Sequence, residues 1–227
     1  MIQPDIVYED NNIIICNKPA GVASQSERSF ENDLLSMVKT YRASGGQGGT
    51  DTHIINRLDK PVAGLVLFAL NKRTAAGLSA MSGEHSIEKN YYAIVKGTPQ
   101  QKGEMTDYLV KDGRNNISVV VDKTAPGAKK ARLAYETLET AMIDGEVYSL
   151  VRIKLYTGRH HQIRVQFASR GHGLYGDIKY NPDFAGKRGV TPQLFAYRLS
   201  FANPAGADRI TVEVKPDGKF KTFEYFK

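Results

Sequence analysis

The chain has 227 residues, with 31 lysines and arginines against 24 acidic residues, a net charge of +7 and a pI near 9.3. Its 41% hydrophobic and 24% charged content is ordinary for a soluble globular protein, and its length suffices for one large domain or two small ones with a real core. The basic excess favours a polyanionic partner, most simply nucleic acid, although a basic but otherwise ordinary enzyme would share it. A single cysteine, Cys16, excludes any disulfide within the chain and suits a reducing compartment; inside Ile13-Ile14-Ile15-Cys16 it reads as a small core residue. The start, Met1-Ile2-Gln3-Pro4-Asp5, lacks the basic-then-apolar order of a signal peptide, and no apolar run approaches the length of a membrane span. The expectation is a cytoplasmic protein.

In chain order, residues 6–9 and 12–16 read as two short strands joined at Asp10-Asn11. Asn17-Lys18-Pro19-Ala20-Gly21 breaks the pattern. Ser29 is placed to cap a helix that carries Glu31 and Asp33 in its first turn and reaches about Tyr41. Ser44 to Gly49 is a glycine-rich loop without the Lys-Ser/Thr ending of a phosphate-binding loop. Residues 65–70 form a strand buried on both faces, and Arg73 to about Ser82 a short helix. Tyr91 to Val95 reads as a strand. The stretch from Lys111 to Lys130 is rich in turn residues and lysines and contains a hairpin strand at Ile117 to Val121. Leu133 to Leu138 and Val147 to Leu155 pair around Asp144-Gly145, a strong hairpin signal. Gly158 to Arg170 is expected as helix with Gly171 at its C′ position, followed by a final pair at Leu194 to Phe201 and Arg209 to Val214. Strands outnumber helices and hairpins dominate, so the fold class is α+β with a mixed, mainly antiparallel sheet. No repeat, low-complexity tail or internal boundary divides it, which predicts one domain over 1–227.

Two segments carry chemistry. Asn56-Arg57-Leu58-Asp59-Lys60-Pro61 runs into the apolar strand from Val62 to Leu70, placing an aspartate between two cations in a proline-containing turn. Such a turn belongs at a surface or cleft, and Arg57 and Lys60 should favour the charged carboxylate, which can serve as nucleophile or base. Taken alone, a turn of this kind is more often a solvated ion pair. The second segment, Thr157-Gly158-Arg159-His160-His161-Gln162-Ile163-Arg164-Val165-Gln166-Phe167-Ala168, begins where a strand ends. On a helix, His160, Arg164 and Ala168 share one face, and Ile163 and Phe167 pack into the core. Cations gathered at a helix N-terminus oppose the macrodipole and call for a nearby anion, so Arg164 is a candidate partner for a buried aspartate; a solvated basic helix end is the plain alternative. The adjacent histidines point about 100° apart on a helix and lack a third ligand at metal spacing. No serine stands in a nucleophile-elbow context.

These segments together resemble the RluA-type RNA pseudouridine synthases over nearly the whole chain. Val7 to Asn11 through Asn17-Lys18-Pro19-Ala20-Gly21 resembles the family's first strand pair and NKPAG turn, and Arg57-Leu58-Asp59 with Gly64-Leu65 resembles its catalytic RLD motif. Lys89-Asn90-Tyr91-Tyr92-Ala93 resembles K-x-Y-x-A, Thr157 to Val165 resembles TGRxHQIRVH, and Gly171-His172 through Gly176-Asp177 and Tyr180 resembles GHPxxGDxxY. The resemblance implies a pseudouridine synthase fold in two halves with the active cleft between, no metal or cofactor, and isomerisation of specific uridines in structured ribosomal or transfer RNA. It implies that Asp59 is the nucleophile, attacking the base at C6 or the sugar at C1′. Tyr91 would stack on the base and help remove the C5 proton, and Arg164 would pair with Asp59. Ile163 would line the base pocket, Arg57 would sit beside the flipped nucleotide, and Arg159 and His160 would complete the substrate contacts. A base inside a helix cannot react, so it must be flipped out at a cost that phosphate contacts offset; Tyr91 offers the stacking face. Tyr92, pointing the opposite way, is the better core candidate.

The chain departs from the pattern at three places. Asn56 stands for the usual His before Arg-Leu-Asp, Gln166 for the His after Arg-Val, and Gly173 for the proline after Gly-His. With Met1 almost on the first strand, a stand-alone catalytic domain is expected, a monomer that reads RNA through basic residues such as Lys111, Arg114, Lys123, Lys129, Lys130 and Arg132; for each lysine singly, a solvated loop is the simpler reading. The rival is a non-catalytic RNA-binding or RNA-folding protein, against which Asp59, Tyr91 and Arg164 speak together. A hydrolase using Asp59 lacks a partnering carboxylate.

Overall fold

The computed structural model describes residues 3–26, 33–46 and 51–227. The chain divides into two units, Met1–Glu88 with Ala196–Lys215, and Lys89–Phe195 with Pro216–Lys227.

The first unit is built on β1 (Ile6–Glu9), β2 (Ile13–Lys18), β3 (His53–Ile54) and β4 (Ala63–Ala69), with β10 (Leu194–Ala202) and β11 (Arg209–Glu213) returning from late in the chain. The order is β1-β2-β4-β10, with β11 beside β10 and β3 beside β4. The β1–β2, β2–β4, β3–β4 and β10–β11 ladders are antiparallel. Residues of β2 and β4 are buried on both faces, as the continuous apolar runs predict. One face packs Ile13, Ile15, Leu65, Leu67 and Ala69 against Leu78 of α2 (Lys72–Gly83) and Leu199 and Phe201 of β10. Helix α2 starts where Asn71 accepts from the Thr74 amide at 2.8 Å. Helix α1 (Leu34–Ser44) starts later than expected. Its cap is Asp33, whose carboxylate accepts from the Ser36 and Ser26 amides at 2.7 Å each; Ser29 and Glu31 lie outside the described residues, as do Gln47 to Gly49 of the glycine-rich stretch.

The second unit has strand order β5-β9-β8-β6-β7, all antiparallel: β5 (Glu88–Lys96), β6 (Lys102–Asp112), β7 (Ile117–Val121), β8 (Lys129–Ile143) and β9 (Glu146–Leu155). Asp144 and Gly145 adopt φ of 53° and 84°, the left-handed pair that a type I′ hairpin turn requires. The sequence reading missed β6 and shortened β8. Only Met105 and Leu109 of β6 are fully buried, so no period-2 apolar pattern marks it; β8 changes register between Thr137 and Glu139, which breaks its alternation. The chain end returns to this unit through two 3₁₀ turns, Gly218–Thr222 and Glu224–Phe226. There the Glu139 carboxylate accepts from the Glu224 and Tyr225 amides at 3.0 and 2.9 Å.

Helix α3 is Gln162–Ala168, not Gly158 to Arg170. It starts four residues late because His161 sits at φ 53°, ψ 22°, a left-handed conformation that no α-helical turn accommodates. His160 therefore precedes the helix and does not share a helical face with Arg164. Gly171, at φ 78°, supplies the expected left-handed turn beyond the helix end. With eleven strands and three α-helices among the described residues, and antiparallel ladders within each unit, the architecture is α+β and mainly antiparallel.

Candidate active site

In the first unit, the aspartate turn is held from three sides. Behind it, the Ser24 hydroxyl donates to the Leu58 carbonyl at 2.8 Å and accepts from the Leu58 amide at 3.0 Å. Ser24 itself is fixed to α1, since its carbonyl accepts from the Leu35 amide at 3.2 Å. Upstream, Asn56 imitates a strand residue: its side chain accepts from the Leu67 amide at 2.8 Å and donates to the Leu65 carbonyl at 3.2 Å. It thus binds the run-in to the turn along β4, a task of this asparagine that its sequence position did not disclose. Across the turn, the Val62 amide donates to the Asp59 carbonyl at 2.9 Å. The outcome is a half-buried Asp59 between exposed Arg57 and Lys60 at the mouth of β4.

Beneath the turn lies a cation that sequence reasoning passed over. Lys18 is fully buried, and its ammonium donates to the carbonyls of Pro19, Val22 and Lys60 at 3.0, 2.6 and 3.2 Å. The Lys60 carbonyl also accepts from the Gly21 amide at 2.8 Å. One buried side chain thus ties the Asn17 to Gly21 turn to the Asp59 turn. Burial pushes its pKa down to about 8, while the charge on Asp59 pulls in the opposite direction. Gly64 explains how β4 follows so closely. Its φ is 117°, and a Cβ there would run into the backbone of Ala196 on β10.

In the second unit, β5 buries both Tyr91 and Tyr92. Tyr92 packs edge-on against Phe226 and Tyr225, with ring centroids 4.9 and 5.9 Å away, which is the packing role expected of it; Tyr91, its neighbour along the strand, points to the other face. Helix α3 is buried from Gln162 to Phe167. Phe167 lies edge-on to Tyr135 at 5.3 Å, and Ile163 is buried beside Arg164. Arg164 meets a buried aspartate, Asp177: Nε and one terminal nitrogen donate to its two carboxylate oxygens at 2.7 and 2.8 Å, with the guanidinium 5.1 Å from the Tyr180 ring centre. Asp177 also accepts from the Lys179 and Tyr180 amides at 3.0 and 3.3 Å. A bidentate pair of this kind fixes the plane of the guanidinium. The sequence called for an anion near Arg164, and the resemblance implied Asp59; neither named Asp177 as a partner.

The two histidines serve scaffolding. Their rings stack at 3.7 Å. His161 Nδ1 shares a hydrogen bond with the Tyr180 hydroxyl at 2.7 Å, and that hydroxyl accepts from the Ser118 amide at 2.6 Å. His160 engages the Ser118 hydroxyl at 2.9 Å and Asn116 at 3.1 Å. These bonds pin the β6–β7 hairpin to the loop before α3. Arg159 is exposed, its Nε donating to the Lys130 carbonyl at 3.0 Å. Lys111, Arg114, Lys123, Lys129, Lys130 and Arg132 are all exposed; Arg132 pairs with Glu104 at 3.0 Å and lies over the Tyr156 ring. Of the other departures, Gln166 donates to Asp107 at 2.6 Å, and Gly173 packs so tightly on Asn181 that a Cβ would come within 2.9 Å of it. Cys16 is a buried core thiol, its pKa pushed up to about 12 by burial.

A family model described as RNA pseudouridylate synthase matches residues 12–169. This chain belongs to that family. The match runs from β2 through α3 and spans Asp59, Tyr91 and Arg164, in keeping with the RluA-type resemblance of the motifs. Similar proteins include tRNA pseudouridine synthase C of Haemophilus ducreyi, 32% identical over 96% of this chain and 93% of that protein. Ribosomal large subunit pseudouridine synthase D of Zymomonas mobilis is 33% identical over 78% of this chain and 55% of its own length, so this pseudouridine synthase spans about half of that relative. Among solved structures, human RNA pseudouridylate synthase domain containing 1 superposes with a TM-score of 0.77 at 24% identity, covering 95% of this chain and 84% of that one. That likeness establishes the pseudouridine synthase fold. Among the described residues, no helix is long and apolar enough to cross a membrane.

Proposed function

We propose that this pseudouridine synthase isomerises specific uridines in structured RNA, transfer or ribosomal, with Asp59 as nucleophile. The observation that carries the reading is the support of the Asp59 turn. Ser24, Asn56 and Lys18 hold its backbone on three sides, while the carboxylate remains half-exposed between two cations. A nucleophile held in this way loses little freedom on reaching its target. The substrate class is supported by the names of the similar proteins, which are transfer RNA and large-subunit ribosomal RNA enzymes.

In the proposed reaction Asp59 attacks the flipped uridine at C6 of the base or C1′ of the sugar, the bond from N1 to C1′ breaks, the uracil turns and joins C1′ through C5, and the bond to Asp59 breaks to return the free carboxylate. The C5 proton is lost, with Tyr91 stacking on the ring and assisting its removal, and N1 gains a proton, so atoms balance in an isomerisation. Arg164, its plane set by Asp177, holds the reacting carboxylate ionised and oriented, and Ile163 lines the base pocket. Arg57 and Arg159 offer exposed guanidinium groups to the RNA; His160 borders the substrate on the scaffold that Ser118 and Asn116 provide. The two units act as one catalytic domain in this reading.

The test is pseudouridine formation in unmodified transfer and ribosomal RNA by the purified protein, beside Asp59→Asn. The variant is expected to lose turnover to background while its RNA affinity stays within about threefold, under 1 kcal/mol. Near-normal turnover by the variant would remove Asp59 from the role of nucleophile.

A further inference from the structure

Lys89 is a buried cation that the reaction above leaves unused. It stands on β5 two residues before Tyr91, so both side chains belong to the same face of the strand. Only 9% of the residue is exposed. Its ammonium lies under the loop before α3, 3.9 Å from where a Cβ on Gly158 would stand. Among the described residues it has no hydrogen-bond acceptor and no carboxylate partner, and burial alone accounts for the lowering of its pKa. Lys18 is enclosed more completely but has three carbonyls around its charge.

An unpartnered buried charge destabilises a fold, and a methionine would fill the same space without that cost. The position is therefore poorly explained by folding and well suited to binding. Gly158 presents no side chain over the ammonium and is itself exposed, which leaves the near side open to an incoming group. The surroundings are basic, with exposed Arg159 held on the Lys130 carbonyl and Arg132 over the Tyr156 ring. A cation in such a place selects an anionic oxygen, and in RNA that oxygen belongs to a phosphodiester. Because most of the lysine is enclosed by protein, the contact would be stronger than one made at the open surface.

We propose that Lys89 is a substrate-binding residue whose ammonium receives a phosphate oxygen of the RNA backbone beside the nucleotide that stacks on Tyr91. The proposal rests on the reading of Tyr91 as the base platform.

The test compares Lys89→Met and Lys89→Arg with the unmutated protein, using unmodified total transfer RNA and, separately, unmodified ribosomal RNA. For whichever RNA binds more tightly, Lys89→Met should weaken binding roughly tenfold at low salt and reduce the slope of log affinity against log salt by about 0.7–0.9, one phosphate's share. Lys89→Arg should retain the slope. The free Lys89→Met protein should melt about 2–4 °C higher, since an uncompensated charge has been removed. A lower melting temperature with unchanged affinity and slope would make Lys89 a structural cation and overturn the proposal. An unchanged slope with reduced turnover would place the ammonium on the base instead of a phosphate, overturning it also. Should Lys89→Met not fold, Lys89→Gln answers the same question. Failure of the function reading is separately visible as absence of pseudouridine with the unmutated protein, in which case the salt slopes still decide Lys89.

Discussion

Two lysines lie inside this protein in opposite circumstances, and the contrast separates folding from function at the residue scale. Lys18 gives its three donors to three carbonyls and binds two turns together. Lys89 is enclosed without a partner among the described residues. Replacing Lys18 by Met should therefore destabilise the protein by about 2 kcal/mol or more, as the carbonyls of Pro19 and Val22 lose their donor inside the fold; chemical denaturation measures it. Its pH dependence has a definite sign. The folded pKa, about 8, lies below the ordinary 10.5, so between these values the unfolded chain binds more protons than the native one. Stability must rise with pH across that window, and below pH 8 this lysine contributes no slope. Denaturation at pH 7.5, 8.5 and 9.5 should show a rise in the unmutated protein that is reduced in Lys18→Met. Equal slopes in the two proteins would show that the lysine titrates normally.

At the scale of elements, the Asp59 turn depends on how β4 leaves it. Asn56 replaces a ladder rung on one side of that strand, and Gly64 lets the backbone of β10 come in on the other. Gly64→Ala would add a methyl group against the backbone of Ala196 in a conformation that L residues rarely adopt. Strain and overlap together should cost at least about 3 kcal/mol. The expected result is a melting temperature lower by roughly 6–12 °C, with turnover reduced further because the displaced strand carries the Asp59 turn. A variant with unchanged stability would mean that β4 and β10 separate easily. Helix α3 shows the reverse dependence. Its short length follows from the left-handed His161, which Tyr180 holds from nineteen residues downstream in a bond 2.7 Å long.

For the molecule as a whole, the excess of seven positive charges includes the exposed group from Lys111 to Arg132, carried on the strands and turns that His160 and Tyr180 pin beside α3. RNA affinity should fall steeply with salt. Contact with about six phosphates implies a loss on the order of 10³-fold between 50 and 200 mM salt, measured by filter binding or fluorescence titration. An affinity indifferent to salt would remove this basic surface from recognition.

The sequence by itself determined the strands buried on both faces, the Asp144-Gly145 hairpin, the α+β class and the placement of an aspartate between cations at the mouth of β4. These depend on apolar period and turn chemistry, which act within a few residues. The ordered motifs carried the family on the same local evidence. The sequence also called for an anion near Arg164, a carboxylate or a phosphate, because cations crowded before a helix need one. Only the tertiary structure decided that Asp177 pairs with Arg164, that Lys18 supports the Asp59 turn, that Lys89 is buried with no partner among the described residues, and that β6 exists with just two fully buried residues. Each of these depends on which distant segments are packed together. A side chain's partner, or its lack of one, is set by the walls that other segments build around it, and no local pattern in the chain records them.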